Sequence, residues 1–198
     1  MLVSVLIASR KRMKRLCASV ESIFRTATSK DFEVLVRFDD DDDESLNNLH
    51  MLDKFKEKLK YIVGPRFNGY NSHPVFMDEL SAIAQGDWLF FLDDDGVILG
   101  KGWDEKLKNV PLSGKIVHPE FYWLGKTRYP SGSCVPVAIC VPNKCWLKMG
   151  WDKLQFPIDH TLQVLLESQG WENEFLKDTI AFHRRDNDEV LKKHRELN

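Results

Sequence analysis

Cysteine is scarce in this chain of 198 residues, and its spacing is not that of a metal site or a disulfide framework. The four cysteines form no Cys-x-x-Cys pair and lie within apolar or helical patterns, at Cys17, Cys134, Cys140 and Cys145. Such spacing excludes the usual zinc sites and is typical of reduced thiols. We therefore expect a cytoplasmic protein.

The chain also lacks an excess of one charge sign and a long apolar run. Its formal net charge is −2, so it has no basic field with which to attract nucleic acid. No apolar run approaches the length of a membrane span, and the apolar N-terminal stretch precedes the basic residues instead of following them. We expect no nucleic-acid partner, no transmembrane segment and no signal peptide.

Several motifs of nucleotide-binding and hydrolytic enzymes are missing. The first strand is followed by neither Gly-x-Gly-x-x-Gly nor Gly-x-x-x-x-Gly-Lys-Ser/Thr, which excludes the usual dinucleotide-binding and Walker sites. No Gly-x-Ser/Ala-x-Gly elbow and no cysteine–histidine signature stands out, so covalent acyl chemistry has little support.

What the first half does have is a regular alternation of strand and helix patterns. Compact apolar runs predict strands, and apolar residues at helical spacing predict helices between them. The predicted strands are residues 2–8, 32–38, 61–63 and 88–92, and the predicted helices are residues 13–26, 46–59 and 74–85. This order predicts a parallel, doubly wound sheet. A length of 198 residues with 43% hydrophobic residues predicts one domain, residues 1–198.

The second half is less regular. Its patterns predict strands at residues 115–118, 134–141 and 179–183 and helices at residues 103–110, 144–149 and 159–169. The charged tail from residue 184 onward is predicted to be helical or frayed.

Three aspartates follow the apolar strand of residues 88–92. If the strand alternation continued, Asp93 and Asp95 would converge on one face, while Asp94 would point elsewhere or enter the turn. Ligands of open α/β sheets lie outside the carboxyl ends of the strands, and carboxylates there suit Mg²⁺ or Mn²⁺ carrying a phosphorylated ligand. A solvated acidic turn explains the triplet alone equally well.

A second acidic run, residues 39–44, ends the second strand. It is not an EF-hand loop, because Glu44 stands where that loop requires glycine and His50 stands at its twelfth position. Residues 42–44 are typical of an acidic cap for the next helix. Asp39 and Asp40, at the strand end, remain candidates for contact with a base or ribose.

Three further features have both structural and functional interpretations. The basic cluster of residues 10–15 is interpreted as a helix start that faces phosphate or solvent, in preference to a lipid contact. His183 ends an apolar strand beside two arginines, which suits a metal–phosphate site, although a lone histidine is more often structural. Asp159 begins a helix, either as its N-cap or as a general base in a cleft.

Together these features resemble the GT-A nucleotide-sugar glycosyltransferases, especially the inverting family 2, from residue 3 to residue 183. Residues 3–12 resemble the family's opening Val-Ser-Val-Ile-Ile-Pro-Thr-Tyr-Asn-Arg, residues 38–40 its Asp-Asp strand end, and residues 84–95 its Ala-x-Gly-aromatic-Phe-Leu-Asp-x-Asp segment. The later matches are residues 149–152, the helix motif carried by Ile158, Asp159, Leu162, Gly170 and Trp171, and the terminal strand at Phe182 and His183.

The resemblance implies a Rossmann-like, three-layer α/β/α fold with a mostly parallel central sheet. Residues 1–98 would form the nucleotide-sugar-binding half, and residues 99–198 the acceptor-binding and catalytic half. The cofactor would be Mn²⁺ or Mg²⁺, and the donor a nucleotide-sugar, with a UDP-sugar favoured. The acceptor would be a glycan, a lipid-linked molecule or a small molecule.

The resemblance also implies roles for individual residues. It assigns the nucleotide-sugar to Ala8, Ser9, Arg10, Asp39, Asp40, Arg66, Asp93 and Asp94. Of the remaining residues, Asp95 would be the main metal ligand, His183 would complete the metal site, and Asp159 would be the general base. Three positions depart from the family pattern: Arg10 replaces an aromatic residue that stacks on the base, Ile158 replaces a glutamate, and Leu165 replaces a frequent arginine.

Two rival functions have the same architecture or part of it. A sugar-phosphate nucleotidyltransferase usually carries a glycine-rich loop after its first strand, and this chain has none. A non-catalytic nucleotide- or carbohydrate-binding module would keep the sheet without turnover.

The acceptor would contact residues 119–157, whose aromatic residues Phe121, Tyr122, Trp123 and Tyr129 form either a stacking platform for a sugar or part of the core.

Overall fold

A computed structural model describes residues 1–66, 73–123, 127–128, 138–146 and 158–183. Its first elements are β1 (Val3–Ser9), α1 (Met13–Thr26), β2 (Phe32–Asp39), α2 (Asp43–Leu46), a 3₁₀ helix (Leu49–Phe55), β3 (Leu59–Gly64), α3 (His73–Ile83) and β4 (Trp88–Leu92). They continue with β5 (Gly96–Ile98), α4 (Trp103–Lys108), β6 (Lys115–Trp123), β7 (Thr127–Arg128), β8 (Ala138–Pro142), α5 (Asn143–Trp146), α6 (Ile158–Ser168) and β9 (Glu172–His183).

The first four strands form the parallel sheet that the sequence predicts. β1 lies between β2 and β4 and pairs in parallel with both, and β3 pairs in parallel with β2. Because each connection crosses over through a helical segment, the carboxyl ends of these strands lie at one edge of the sheet.

The second half extends this sheet with strands of both directions. Within the described residues, nine strands form one sheet in the order β3-β2-β1-β4-β8-β6-β9-β5, with β7 paired to β6. β8 is antiparallel to β4, whereas β6 and β9 pair in parallel over most of their length. By paired residues the sheet is mostly parallel, as expected, but β6 and β9 are longer than predicted, and β5 was not predicted at all.

Two apolar clusters cover the two faces of the sheet. Alternate residues of β1 point to opposite faces, so Val5 and Ile7 join one cluster and Leu6 joins the other. The first cluster includes residues of α1, α4 and the 3₁₀ helix, and the second includes residues of α3 and α6. The fold is therefore the predicted three-layer α/β/α arrangement. Among the described residues, no helix combines the length and hydrophobicity needed to cross a bilayer.

The segment predicted as one helix over residues 46–59 is different in the structure. It consists of the short helix α2 and the 3₁₀ helix, and Leu59 already belongs to β3. The reason is visible in the spacing, because Leu46, Leu49, Leu52 and Phe55 recur at every third residue. That period aligns side chains along a 3₁₀ helix, which has three residues per turn, instead of an α-helix.

A buried carboxylate joins α4 to the loop between α1 and β2. Asp104 is fully buried and accepts hydrogen bonds from the backbone N–H groups of Thr28 and Ser29, at 3.0 and 2.7 Å. Burial alone would raise the pKa of Asp104, but these hydrogen bonds outweigh burial and lower its pKa below the ordinary value.

We predict that Asp104→Asn lowers the free energy of unfolding by about 1.5–3 kcal/mol at neutral pH, because the negative charge is lost and one of the two backbone N–H donors then faces an NH₂ group. A carboxyl group with a lowered pKa stabilises the fold above its unfolded pKa, and that contribution disappears as pH falls through the folded pKa. Urea unfolding of wild type and variant should therefore show a difference that shrinks below about pH 4. The exposed Asp53→Asn variant is the control, and a difference independent of pH would contradict the role of the charge.

Candidate functional site

Three parallel strands end side by side and bring the predicted site residues together. β1 ends at Ser9, which pairs with Phe38 of β2, and Leu6 of β1 pairs with Phe91 of β4. The residues that follow these strands therefore share the carboxyl edge of the sheet. These are Arg10 after β1, Asp40 after β2 and the aspartates at residues 93–95 after β4.

The three aspartates do not alternate as a continuing strand would require. β4 ends at Leu92, and the N–H of Gly96 donates to the carbonyl oxygen of Asp93 at 2.9 Å, which closes a turn. Asp94 and Asp95 consequently converge on the same partner, Arg12, while Asp93 is half-buried. The strand alternation that would bring Asp93 and Asp95 to one face ends with β4 at Leu92, and Asp94 enters the turn, which is one of the two positions expected for it.

The carboxylates of Asp94 and Asp95 contact the side chains of Ser9, Arg12 and Arg15. Nη1 of Arg12 lies 3.1 Å from Oδ1 of Asp94 and 3.5 Å from Oδ2 of Asp95. The hydroxyl of Ser9 donates to Oδ2 of Asp94 at 2.9 Å, and Nη1 of Arg15 lies 3.6 Å from Oδ2 of Asp95. Ser9 and Asp94, which the resemblance assigns to one ligand, are thus in direct contact.

Both carboxylates are nearly inaccessible to solvent, at 6% for Asp94 and 4% for Asp95. Burial raises the pKa of Asp94, and the nearby Arg12 and the Ser9 hydroxyl act in the opposite direction. Two adjacent carboxylates in such a place need positive charge close by, because burying an uncompensated charge is costly. The site therefore favours a cation.

Among the described residues, no group of three or more His, Cys, Asp or Glu side chains forms a ready-made metal cage. Mg²⁺ commonly needs only one or two protein carboxylates, with substrate phosphates and water completing its shell. The hard oxygens of Asp94 and Asp95 fit that requirement. Two carboxylates are few for a cation that the protein holds permanently. They suit a divalent cation that binds together with a phosphorylated ligand.

A second charged cluster lies beside the ends of β1 and β2. Nη1 of Arg10 lies 2.9 Å from Oδ2 of Asp39, and Arg10 also pairs with Asp41 through both terminal nitrogens. The hydrogen bond to Asp41 raises the pKa of Arg10, and the same contact lowers the pKa of Asp41. Arg66 lies 3.4 Å from Asp41, and its N–H donates to Oδ1 of Asp40 at 3.3 Å.

The acidic run after β2 also fixes the loop after β1. Asp42 is the N-cap of α2, as predicted for this part of the run, and accepts from the N–H of Ser45 at 3.2 Å. Its other carboxylate oxygen accepts from the N–H of Lys11 at 2.8 Å. Lys11 has a φ of 54°, a left-handed conformation that is uncommon for residues other than glycine. Asp42 therefore holds the two loops of the site together.

Sequence reasoning missed Arg37, whose side chain is only 1% exposed. Its guanidinium pairs with Asp39 and donates to the carbonyl oxygen of Pro65, and its Nε lies 3.0 Å from Oε2 of Glu79. It also lies over the ring of Phe76, 4.0 Å from the centroid. A charged residue between apolar neighbours, Val36 and Phe38, was the available signal, because a buried charge requires partners.

We predict that Arg37→Leu lowers the free energy of unfolding by about 3–5 kcal/mol, because the buried carboxylate of Asp39 loses its buried partner and keeps the partly exposed Arg10. The control is Lys54→Leu, which breaks an ion pair with Glu21 whose side chains are both more than half exposed. That change should cost about 0–1 kcal/mol. Denaturant unfolding of both variants tests the contrast, and equal losses would contradict it.

The remaining predicted site residues are described only by their backbone or not at all. Asp159 is the second residue of α6, whose observed bounds agree with the predicted helix. His183 ends β9 and pairs with Gly96, so its backbone lies beside the residue that follows Asp95. The described part of the structure does not include the side chains of Asp159, His183, Phe121, Tyr122 and Trp123. Tyr129 and residues 149–152 lie entirely outside the described residues.

Comparisons with known proteins agree with this architecture. Residues 4–110 match the family described as Glycosyl transferase family 2. A search among curated protein sequences gave no significant match.

Two of the similar solved structures cover nearly the whole chain. TarS residues 1–349 from S. aureus has a TM-score of 0.67 at 15% identity over 92% of this chain. The mannosyltransferase PcManGT from Pyrobaculum calidifontis, in complex with GDP-Man and Mn²⁺, has a TM-score of 0.68 at 13% identity over 98% of it. The present chain covers 60% of each of those two chains. Identities this low show the fold, which is the expected GT-A fold.

The match to the family extends over more than half of the chain, from β1 through α4. It includes the ends of β1, β2 and β4, where the charged clusters lie. The resemblance inferred from the sequence is thereby confirmed: this chain belongs to glycosyl transferase family 2.

Proposed function

We propose that this chain is a metal-dependent glycosyltransferase that moves a sugar from a nucleoside-diphosphate sugar to an acceptor hydroxyl. The observation that carries the proposal is the convergence of the Asp94 and Asp95 carboxylates beside the ends of β1 and β2. A cation-favouring pair of carboxylates at the carboxyl edge of a parallel sheet is suited to a phosphorylated nucleotide. Family membership supplies the class of reaction.

The donor would lie across the two charged clusters. In this proposal Ala8, Arg10 and Asp40 line the base pocket, and the guanidinium of Arg10 stacks on the base in place of an aromatic ring. Ser9, Asp39 and Arg66 hold the surrounding loops and the nucleotide. Asp93 and Asp94 lie near the ribose and the metal, Asp95 is the main metal ligand, and His183 completes the metal site.

The reaction would be a direct displacement at the anomeric carbon. Asp159 accepts the proton of the acceptor hydroxyl while the acceptor oxygen bonds to that carbon, and the bond from the carbon to the diphosphate breaks. Attack from the face opposite the leaving group inverts the configuration. A divalent cation, when bound at Asp95, supplies Lewis-acid stabilisation of the charge on the departing diphosphate.

We further propose a UDP-sugar as the donor, with a GDP-sugar as the alternative that the complex of PcManGT with GDP-Man suggests. The acceptor would be a glycan, a lipid-linked molecule or a small molecule bound by the half formed by residues 99–198. A cytoplasmic location is supported by Cys17 and Cys140, which are free thiols with pKa values raised by burial.

A ligand screen tests the proposal. Thermal unfolding should be followed with UDP-sugars and GDP-sugars, each with and without Mn²⁺ or Mg²⁺. A donor at about 100 times its Kd should raise the unfolding midpoint by about 5–10 °C, and only when the metal is present. The same mixtures should slowly release the nucleoside diphosphate.

Other outcomes identify the rival functions. Stabilisation without any release, even with a panel of acceptors, would favour a binding module. Formation of pyrophosphate from a nucleoside triphosphate and a sugar phosphate would favour a nucleotidyltransferase. No stabilisation by any nucleotide-sugar with either metal would refute the proposal.

A further inference from the structure

Two arginines cover the carboxylates of Asp94 and Asp95 from the solvent side. Arg12 lies 3.1 Å from Asp94 and 3.5 Å from Asp95, and Arg15 lies 3.6 Å from Asp95. The carboxylate side chains are 7% and 4% exposed, whereas those of Arg12 and Arg15 are 47% and 36% exposed. The negative groups are thus closed in, and the positive groups remain accessible to an incoming ligand.

This arrangement supplies the cation that the buried carboxylates need. The Arg12 guanidinium lies within 3.5 Å of both carboxylates, so it is a counterion of the pair. A divalent cation bound to the same oxygens would lie within a few ångströms of both guanidinium groups. Like charges at that distance repel, so the arginines and the cation compete for the carboxylates.

A diphosphate resolves this conflict. Arginine binds phosphate oxygens through two parallel N–H donors, and it is the residue best matched to that geometry. Arg12 and Arg15 are long, partly exposed side chains at the start of α1, so they can turn from the carboxylates to a diphosphate placed above them. Their positive charges would then neutralise the diphosphate and would no longer repel the metal ion.

We propose that Arg12 and Arg15 bind the donor's diphosphate and, without donor, act as exchangeable counterions of Asp94 and Asp95. This inference rests on the proposed function. It makes metal and diphosphate binding mutually dependent: metal alone binds weakly because it must displace a guanidinium, and diphosphate gives the displaced guanidinium a new partner. By linkage, each ligand then strengthens the binding of the other.

The test uses Arg12→Gln, Arg12→Lys and Arg15→Gln, with Arg25→Gln as the control on the same helix. Arg25 is an exposed arginine in the last turn of α1, ten residues beyond Arg15 or about 15 Å along the helix axis. Mn²⁺ binding without nucleotide is measured by electron paramagnetic resonance of the free ion. Binding of UDP, GDP and inorganic pyrophosphate is measured by calorimetry at saturating Mn²⁺.

The affinity for Mn²⁺ alone and the affinity for diphosphates should change in opposite directions. Arg12→Gln should bind Mn²⁺ alone about tenfold more tightly, and bind UDP, GDP and pyrophosphate about 10- to 100-fold more weakly, because a charge-assisted hydrogen bond is lost. Arg15→Gln should show the same signs with smaller changes, since its contact is longer. Arg12→Lys should lie between wild type and Arg12→Gln, and Arg25→Gln should match wild type.

A purely structural role for Arg12 would weaken the binding of metal and diphosphate together, and that result would overturn the proposal. Unchanged affinities in Arg12→Gln, with normal UDP or GDP binding by the wild type, would also overturn it while leaving the proposed function intact. If the wild type binds Mn²⁺ but no nucleotide and no pyrophosphate, the proposed function fails, and the diphosphate role fails with it.

Discussion

Asp95→Ala is expected to abolish Mn²⁺-dependent donor binding and to reduce turnover by about 10²- to 10⁴-fold. The estimate follows because a metal contributes several kcal/mol of charge stabilisation in the transition state, and each 1.36 kcal/mol is a factor of ten. Asp95 is 4% exposed and shares Arg12 with Asp94, so removal of its carboxylate leaves one buried carboxylate for the cation. Mn²⁺ titration with the donor present, followed by steady-state kinetics, measures both effects.

A matched control lies at the other end of the same strand. Asp87 is an exposed residue just before β4, and its Oδ2 accepts a hydrogen bond from the N–H of Leu2 at 3.0 Å. Asp87→Ala removes one aspartate from the same chain segment at the opposite edge of the sheet, so metal and donor affinity should stay at the wild-type value. If Asp95→Ala also binds donor with wild-type affinity in Mn²⁺, Asp95 is not the metal ligand.

Asp159→Asn is expected to reduce kcat by about 10²- to 10⁴-fold while leaving donor binding nearly unchanged. General-base catalysis typically contributes a factor of that size, and asparagine cannot accept the proton of the acceptor hydroxyl. The residue lies in the first turn of α6, on the face of the sheet that α3 and α6 cover. Kinetics with a saturating acceptor, combined with calorimetric donor titration, separates catalysis from binding.

The control for this change is Asp178→Asn, the same chemical substitution on β9. Asp178 is exposed and has a φ of 58°, a conformation that asparagine adopts readily, so the variant should keep wild-type kinetics. Unchanged turnover in Asp159→Asn would exclude Asp159 as the base. A parallel loss of donor affinity and turnover would assign it to donor binding.

The parallel half of the fold was predictable because its signals are local. The apolar run of β4 and the helical spacing of α1 each lie within one element, and the strand–helix order then determines which ends meet. The 3₁₀ helix was misassigned although its three-residue period was present, because that period was taken as a helical one. The antiparallel addition of β8 has no local signal, since pairing depends on residues about 50 positions apart.

The positions of the candidate site residues followed from the sequence better than their contacts did. The strand ends predicted that Asp39 and the aspartates at residues 93–95 would share an edge. The pairing of Arg12 with Asp94 joins residues 82 positions apart, and the pairing of Arg37 with Glu79 joins residues 42 positions apart. Such contacts depend on the turn after β4 and on the packing of α3, and neither is visible in a residue pattern.

The strand order has a consequence for how the chain acquires its structure during synthesis. β1 to β4 belong to the first 92 residues, and their pairing needs nothing that is translated later. N-terminal regions fold first during translation, so the four parallel strands can assemble before β8 leaves the ribosome. Until then β4, an entirely apolar strand, presents an unpaired edge of the kind that promotes aggregation. β8 closes that edge, so the exposure of β4 ends once residues 138–142 have been made and have paired with it.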